Sequence, residues 1–212
     1  MKQIAYILIG FLLCGVNTSA QNAEELLDRA ALAYNSSNGI AATFAMRTSS
    51  EQQNATESFE GIINIKGDKF TFATPDLRTW YDGTTQWVYM ERSGEVNVNT
   101  PSGDELQFTN PAILLKSYKK GFTASYKGES TSRNGKAAYD IELIPKKKGN
   151  ILKVSLQIEK TSGLPSGISV NMKNGINSDI YISGLKQNVN QPDSFFVFNE
   201  ADFPDAEIID LR

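Results

Sequence analysis

The 212-residue chain contains no histidine and a single cysteine, Cys14. Losing histidine removes the commonest general base and the commonest metal ligand. One cysteine near the start excludes a disulfide framework and a thiolate metal site in the rest of the chain. No glycine-rich phosphate loop and no nucleophile elbow is present. The formal charge of −3 is too small for general attraction to nucleic acid or to an anionic bilayer. Beyond the first residues no apolar run is long enough to cross a membrane. These absences leave carboxylates as the only catalytic candidates. Asp82 reads as a turn residue, and Glu57, Glu60, Glu142 and Glu159 as solvent-face residues, so no catalytic residue, metal or cofactor is expected.

The chain does contain apolar residues along its whole length, with 10% aromatics, which argues against disorder. Residues 1–20 read as a signal peptide: Lys2, then the compact apolar run 4–13, then Thr18-Ser19-Ala20 as a small-residue cleavage site. Cys14 raises the alternative of a lipid anchor. That signal has a small residue directly before the cysteine, and Leu13 is bulky, so soluble export is the preferred reading. Residues 21–212 show no linker and form one domain.

Residues 22–35 have helical spacing through Leu26, Leu27, Ala30, Ala31 and Tyr34, with Asn22 as cap and Glu25 completing a capping box. From residue 40 the period becomes two. Ile40 to Met46, Phe59 to Ile65, Phe70 to Phe72, residues 78–82 and 86–91, and Glu95 to Asn99 read as short antiparallel strands. Asn110 and Pro111 open a helix, with Ile113, Leu114 and Leu115 on its face and Lys119-Lys120 at its end. Strands then resume through Phe122, Tyr139, residues 152–158, Ile168 and Ile180. The fold expected is mainly β with a few helices (α+β). About ten strands form a strongly curved antiparallel sheet, an incomplete barrel, and two helices cover its open side.

Such a sheet with so few helices cannot fill a wide interior, so a greasy hollow is expected. The expected lining is Phe44, Met46, Phe59, Ile63, Ile65, Phe70, Phe72, Trp80, Trp87 and Tyr89. Ile113 and Leu114 are expected on a helix covering the mouth, as core if it packs permanently and as a lid if it moves. Lys146-Lys147-Lys148 reads as a solvated loop, with an acidic partner or lipid headgroups as the functional alternative.

Asp82-Gly83, then Trp87-Val88-Tyr89, then Asn110-Pro111 with Leu114-Leu115, resemble the periplasmic outer-membrane lipoprotein carriers, the LolA-like proteins. The leader, the amphipathic helix, the 61–72 hairpin and Phe203-Pro204 near the end fit the same order. The resemblance implies a monomeric periplasmic carrier without cofactor. Its hollow takes lipoprotein acyl chains from an inner-membrane donor complex, shuttles them across the periplasm and passes them to an outer-membrane acceptor. The alternative within the same fold is a sensor or scaffold that binds a lipid or peptide and regulates a membrane partner. One departure stands out. Better-known members carry an arginine before the turn into the 70–72 strand, which helps hold the lid. Here the stretch reads Ile65-Lys66-Gly67-Asp68-Lys69, with Gly67 at or near the arginine's place and Lys66 and Lys69 beside it; Arg47 is a candidate substitute charge, with a solvent-facing role the preferred reading.

Overall fold

The structure, a computed structural model, describes residues 18–50, 52–102, 106 and 110–212. Cys14 and the expected signal peptide up to position 17 lie outside the described residues. Helix α1 (Thr18–Ser36) begins four residues before the expected cap at Asn22. Its buried stripe is Ala23, Leu26, Leu27, Ala30 and Tyr34, at the spacing that places successive turns on one face.

Twelve strands form one sheet. They are β1 (Ile40–Ser50), β2 (Ala55–Lys66), β3 (Lys69–Ala73), β4 (Leu77–Tyr81), β5 (Gln86–Met90), β6 (Glu95–Asn99), β7 (Phe122–Thr131), β8 (Ala137–Pro145), β9 (Ile151–Glu159), β10 (Pro165–Met172), β11 (Ile176–Gln187) and β12 (Glu207–Asp210). Their order is β12-β6-β5-β4-β3-β2-β1-β11-β10-β9-β8-β7. The sheet is therefore two meanders joined where β1 pairs with β11. It does not close, because β12 and β7 stand at opposite edges. The result is an open half-barrel with helices on one side. All pairs are antiparallel except β12 on β6, which adds a parallel edge strand.

Helix α2 (Pro111–Gly121) interrupts the strands between β6 and β7. The Asn110 side chain accepts a hydrogen bond from the Ala112 N–H at 2.9 Å, and Pro111 follows where its missing N–H costs nothing. Lys119 and Lys120 sit in the last turn, against the negative end of the helix dipole. Both helices lie on the concave face. Helix α1 packs on β7 and on α2. The main core is the sandwich between them and β7–β10, with Leu27, Leu114, Ile141, Leu143 and Val154 fully buried. The opposite half of the concave face, over β1–β5, is less covered.

The C-terminal segment crosses the outer face. A 3-10 turn (Asp193–Phe196) sits against β3, and a second (Glu200–Asp202) leads into β12. Asp193 bridges Lys66 at 2.9 Å and Lys69 at 2.8 Å.

Candidate functional site: an apolar cavity on the concave face

Period two decides which side chains meet. On β1 the concave residues are Ile40, Ala42, Phe44 and Met46. Ladder partners on β2 continue that face: Ile40 opposite Ile65, Ala42 opposite Ile63, Phe44 opposite Gly61 and Met46 opposite Phe59. Beyond them Phe72 pairs with Ile63, Thr79 with Phe72, and Val88 with Thr79. On the other flank Ile182 pairs with Phe44 and Ile180 with Met46. Ile168 then pairs with Ile180.

These rows enclose a cavity of about 420 Å³. Its walls are Phe44, Met46, Ile63, Ile65 and Phe72 from β1–β3, Leu77, Thr79, Gln86 and Val88 from β4–β5, and Ile168, Val170, Met172, Ser178, Ile180, Ile182 and Leu185 from β10–β11. Tyr34 from the end of α1 and Pro111 from the start of α2 complete it. Among the described lining residues none carries a charge. Burial pushes the Tyr34 phenol well above its usual pKa, so it stays neutral in this site. The described lining can hold apolar matter and offer a few neutral hydrogen bonds, with no ionised acid or base among those residues.

Phe44 organises the cavity wall. Its ring stacks on Phe72 with centroids 4.8 Å apart and meets Phe59 edge-on at 6.2 Å. The ring has room only because its ladder partner is Gly61. A Cβ on Gly61 would run into the Ala73 carbonyl oxygen and lie 2.6 Å from the Phe44 ring.

Of the expected lining, the structure brings five residues together around the cavity: Phe44, Met46, Ile63, Ile65 and Phe72. Phe59 stands beside Phe44 but is 36% exposed and is not part of the cavity wall. Phe70 faces the concave side and is fully buried against Tyr81, at 5.3 Å between ring centroids, as solid core outside the wall. Trp80, Trp87 and Tyr89 must be corrected outright. They point to the outer face, where Phe198, Phe203 and Ala206 of the C-terminal segment pack on them together with Val96 and Val98. Tyr89 and Phe203 are 4.6 Å apart, and Trp80 lies 5.4 Å from Phe198. The inward residue of the Trp87-Val88-Tyr89 triplet is Val88.

The helix expected over the mouth also differs. Leu114 is buried in the main core and Ile113 packs half-buried against it; neither lines the cavity, and the α2 residue that does is Pro111. Two carboxylates hold the helix. Asp68, in the β2–β3 turn, pairs with Lys116, and its backbone carbonyl accepts from the Asn110 amide at 3.4 Å. Asp28 of α1 accepts from the Tyr118 hydroxyl at 3.1 Å and pairs with Lys119 at 2.7 Å. Burial and Asp28 together push the Tyr118 phenol above its usual pKa. The stretch where an arginine is expected thus anchors α2 through Asp68, while Lys66 and Lys69 serve the outer face. Arg47 is exposed.

The expected lining leaves out most of the far wall on β10–β11 and the neutral polar groups Thr79, Gln86 and Ser178. The alternation Ile168, Val170, Met172 and Ile180, Ile182 was the available signal. A second hollow, about 370 Å³, lies among the outward side chains of β7–β11. It is lined largely by polar groups, and its Glu142 is paired. Lys127 and Lys153 both pair with Glu142, and Lys127 foremost holds that carboxyl below its ordinary range.

Residues 13–176 match the family model described as outer membrane lipoprotein carrier protein LolA. The chain belongs to that family. No curated protein matches this LolA-family chain. Among solved structures it is similar to an uncharacterized conserved protein from Thermus thermophilus, with TM-score 0.62 and 14% identity over 90% of this chain and 99% of that one. It also resembles a LolA superfamily protein from Nitrosomonas europaea (TM-score 0.46, 15% identity, 83% and 97% coverage). A putative outer membrane lipoprotein-sorting protein domain from Vibrio parahaemolyticus gives 0.46 and 13% over 87% and 99%. At these identities the likeness concerns the fold alone, and the Thermus protein carries it.

Among the described residues of this LolA-family member, no helix is long and apolar enough to cross a membrane, and no cluster of acidic residues could hold a metal.

Proposed function

We propose that this protein is a periplasmic carrier. In this reading it takes the acyl chains of lipoproteins into the concave cavity, shields them across the aqueous periplasm, and passes them from an inner-membrane donor to an outer-membrane acceptor. The observation that carries the reading is the cavity itself: about 420 Å³ of space walled mainly by aliphatic and aromatic side chains, with no charge among its described lining residues. Family membership supports the cargo class, and the expected leader supports the compartment. In this reading the protein binds without transforming its cargo, and the described lining presents no ionised group to a reacting atom.

The energetics suit a shuttle. Burying a dozen methylenes contributes roughly 10 kcal/mol at about 0.8 kcal/mol each. Association costs on the order of 4–15 kcal/mol offset most of that. The cargo is held and can still leave.

The test is native mass spectrometry of the protein recovered from its own envelope. Acylated protein bound at one copy per carrier is the expected result. Recovery with a membrane protein partner and an empty cavity would favour the regulatory reading of the fold instead.

A further inference from the structure

We propose that one end of the half-barrel docks on an anionic phospholipid bilayer. The docking surface is formed by the last turn of α2, the β8–β9 loop and the β10–β11 turn. This goes beyond the carrier reading and does not depend on it.

The chain as a whole is slightly acidic, but its cations are not spread evenly. Lys120, Lys146, Lys147, Lys148 and Lys173 are all exposed. The backbone brings them to one place. The Lys146 N–H donates to the Gly121 carbonyl, and the Lys173 N–H donates to the Asn150 carbonyl, both at 2.8 Å. Residues 119–121, 144–152 and 172–176 contain no carboxylate. In the adjoining elements Asp28 and Glu142 are already paired with Lys119 and Lys153, and Asp179 accepts from Ser169. Glu57 and Glu60 lie on β2, separated from β10 by β1 and β11. Positive charge is therefore left unbalanced at this end, although the net charge of the chain has the opposite sign.

Two observations favour lipid over an acidic protein. First, all five cations are lysine. Arginine, whose planar fork grips individual carboxylates, is enriched at protein interfaces, and lysine is depleted there. A compact ammonium on a flexible stem suits a diffuse layer of head-group phosphates. Second, Ile144 and Leu152 flank the lysine loop and are 42% and 50% exposed. Aliphatic groups beside a basic cluster add apolar burial to the electrostatic attraction, the combination that interfacial binding uses. The placement fits as well. Met172, the residue before Lys173, belongs to the cavity wall, so docking here brings that end of the cavity toward the lipid.

The test is co-sedimentation of the protein with vesicles of phosphatidylcholine containing about 30% phosphatidylglycerol, set against vesicles of phosphatidylcholine alone. Binding is expected to the anionic vesicles only, and it should fall severalfold as NaCl rises from about 50 to about 300 mM. Each lysine near such a surface contributes about fivefold. Lys147→Gln and Lys173→Gln should each weaken binding by about that factor, and Lys147→Gln combined with Lys148→Gln by about tenfold or more. Lys186→Gln, at the opposite end of β11, should change it less than about twofold. Leu152→Ser should weaken it about threefold. Circular dichroism should be the same in all variants. Equal binding to both kinds of vesicle, binding indifferent to salt, or an equal loss with Lys186→Gln overturns the inference. So does failure to bind anionic vesicles while the 146–148 loop cross-links to an acidic protein. Displacement of the neutral fluorescent probe 1-N-phenylnaphthylamine from the concave cavity by methyl myristate should be unchanged in every variant. If no form shows that displacement, the carrier reading falls, and vesicle binding still decides the docking surface.

Discussion

Gly61 is the residue whose identity is set most sharply by its surroundings. Its strand position tolerates any side chain by backbone angle, but the space belongs to the Phe44 ring. Gly61→Ala forces a Cβ into the Ala73 carbonyl, which is backbone and cannot yield. The expected cost is about 1–3 kcal/mol in urea unfolding, with the Phe44–Phe72 stack displaced. Asp193 is a second residue-scale case. Lys69, then Lys66, hold its carboxyl at about 2 against an ordinary 3.8. A carboxyl lowered in the folded state favours folding above 3.8, and that contribution is lost as pH falls through 2. The group is exposed, so salt screens the effect. An NMR titration of the Asp193 carboxyl carbon should give a midpoint near 2, and Lys66→Ala combined with Lys69→Ala should return it toward 3.8.

At the scale of elements, α2 is structural before it is anything else. Its apolar face is fully used: Leu114 and Leu115 enter the main core, and Tyr118 reaches Asp28 on α1. Leu114→Glu therefore buries a charge in that core. It should lower stability by roughly 3 kcal/mol or more, seen as a fall in the urea midpoint with any loss of ligand following from unfolding. Asn110→Ala removes a buried cap and should cost about 1–2 kcal/mol by the same measurement. Lys116→Ala touches only a half-exposed ion pair, and a change under about 1 kcal/mol is expected.

For the whole molecule the decisive feature is that the sheet has two working faces. The concave face divides between packed helices and an apolar cavity that side chains leave unfilled. The outer face of β3–β6 carries a smaller aromatic core sealed by the C-terminal segment. Removing residues 199–212 takes away Phe203 and β12, and so exposes Trp80 and Tyr89. Tryptophan emission should shift to the red and apolar dye binding should rise. Displacement of the neutral probe from the concave cavity should persist, because that cavity lies on the other side of the sheet. Loss of probe binding with the strands intact would show that the two faces are coupled.

Much of this was legible in the residues themselves. Local chemistry set the elements: the apolar stripe of α1, the Asn110-Pro111 start of α2, and the alternation through the strands from β1 to β11. These signals depend only on neighbours three or four residues away, so the chain states them directly. The same alternation already required Trp80 and Tyr81 to face opposite ways, and likewise Val88 and its two aromatic neighbours. What alternation cannot state is which face bends inward. That was decided by partners distant in sequence. Helices α1 and α2 claimed one side, and Phe198 and Phe203 claimed the aromatics on the other. The parallel pairing of β12 with β6, the joining of β1 to β11 and the presence of the cavity were likewise tertiary outcomes, because each is set by how far the sheet curves and which side chains remain to fill it.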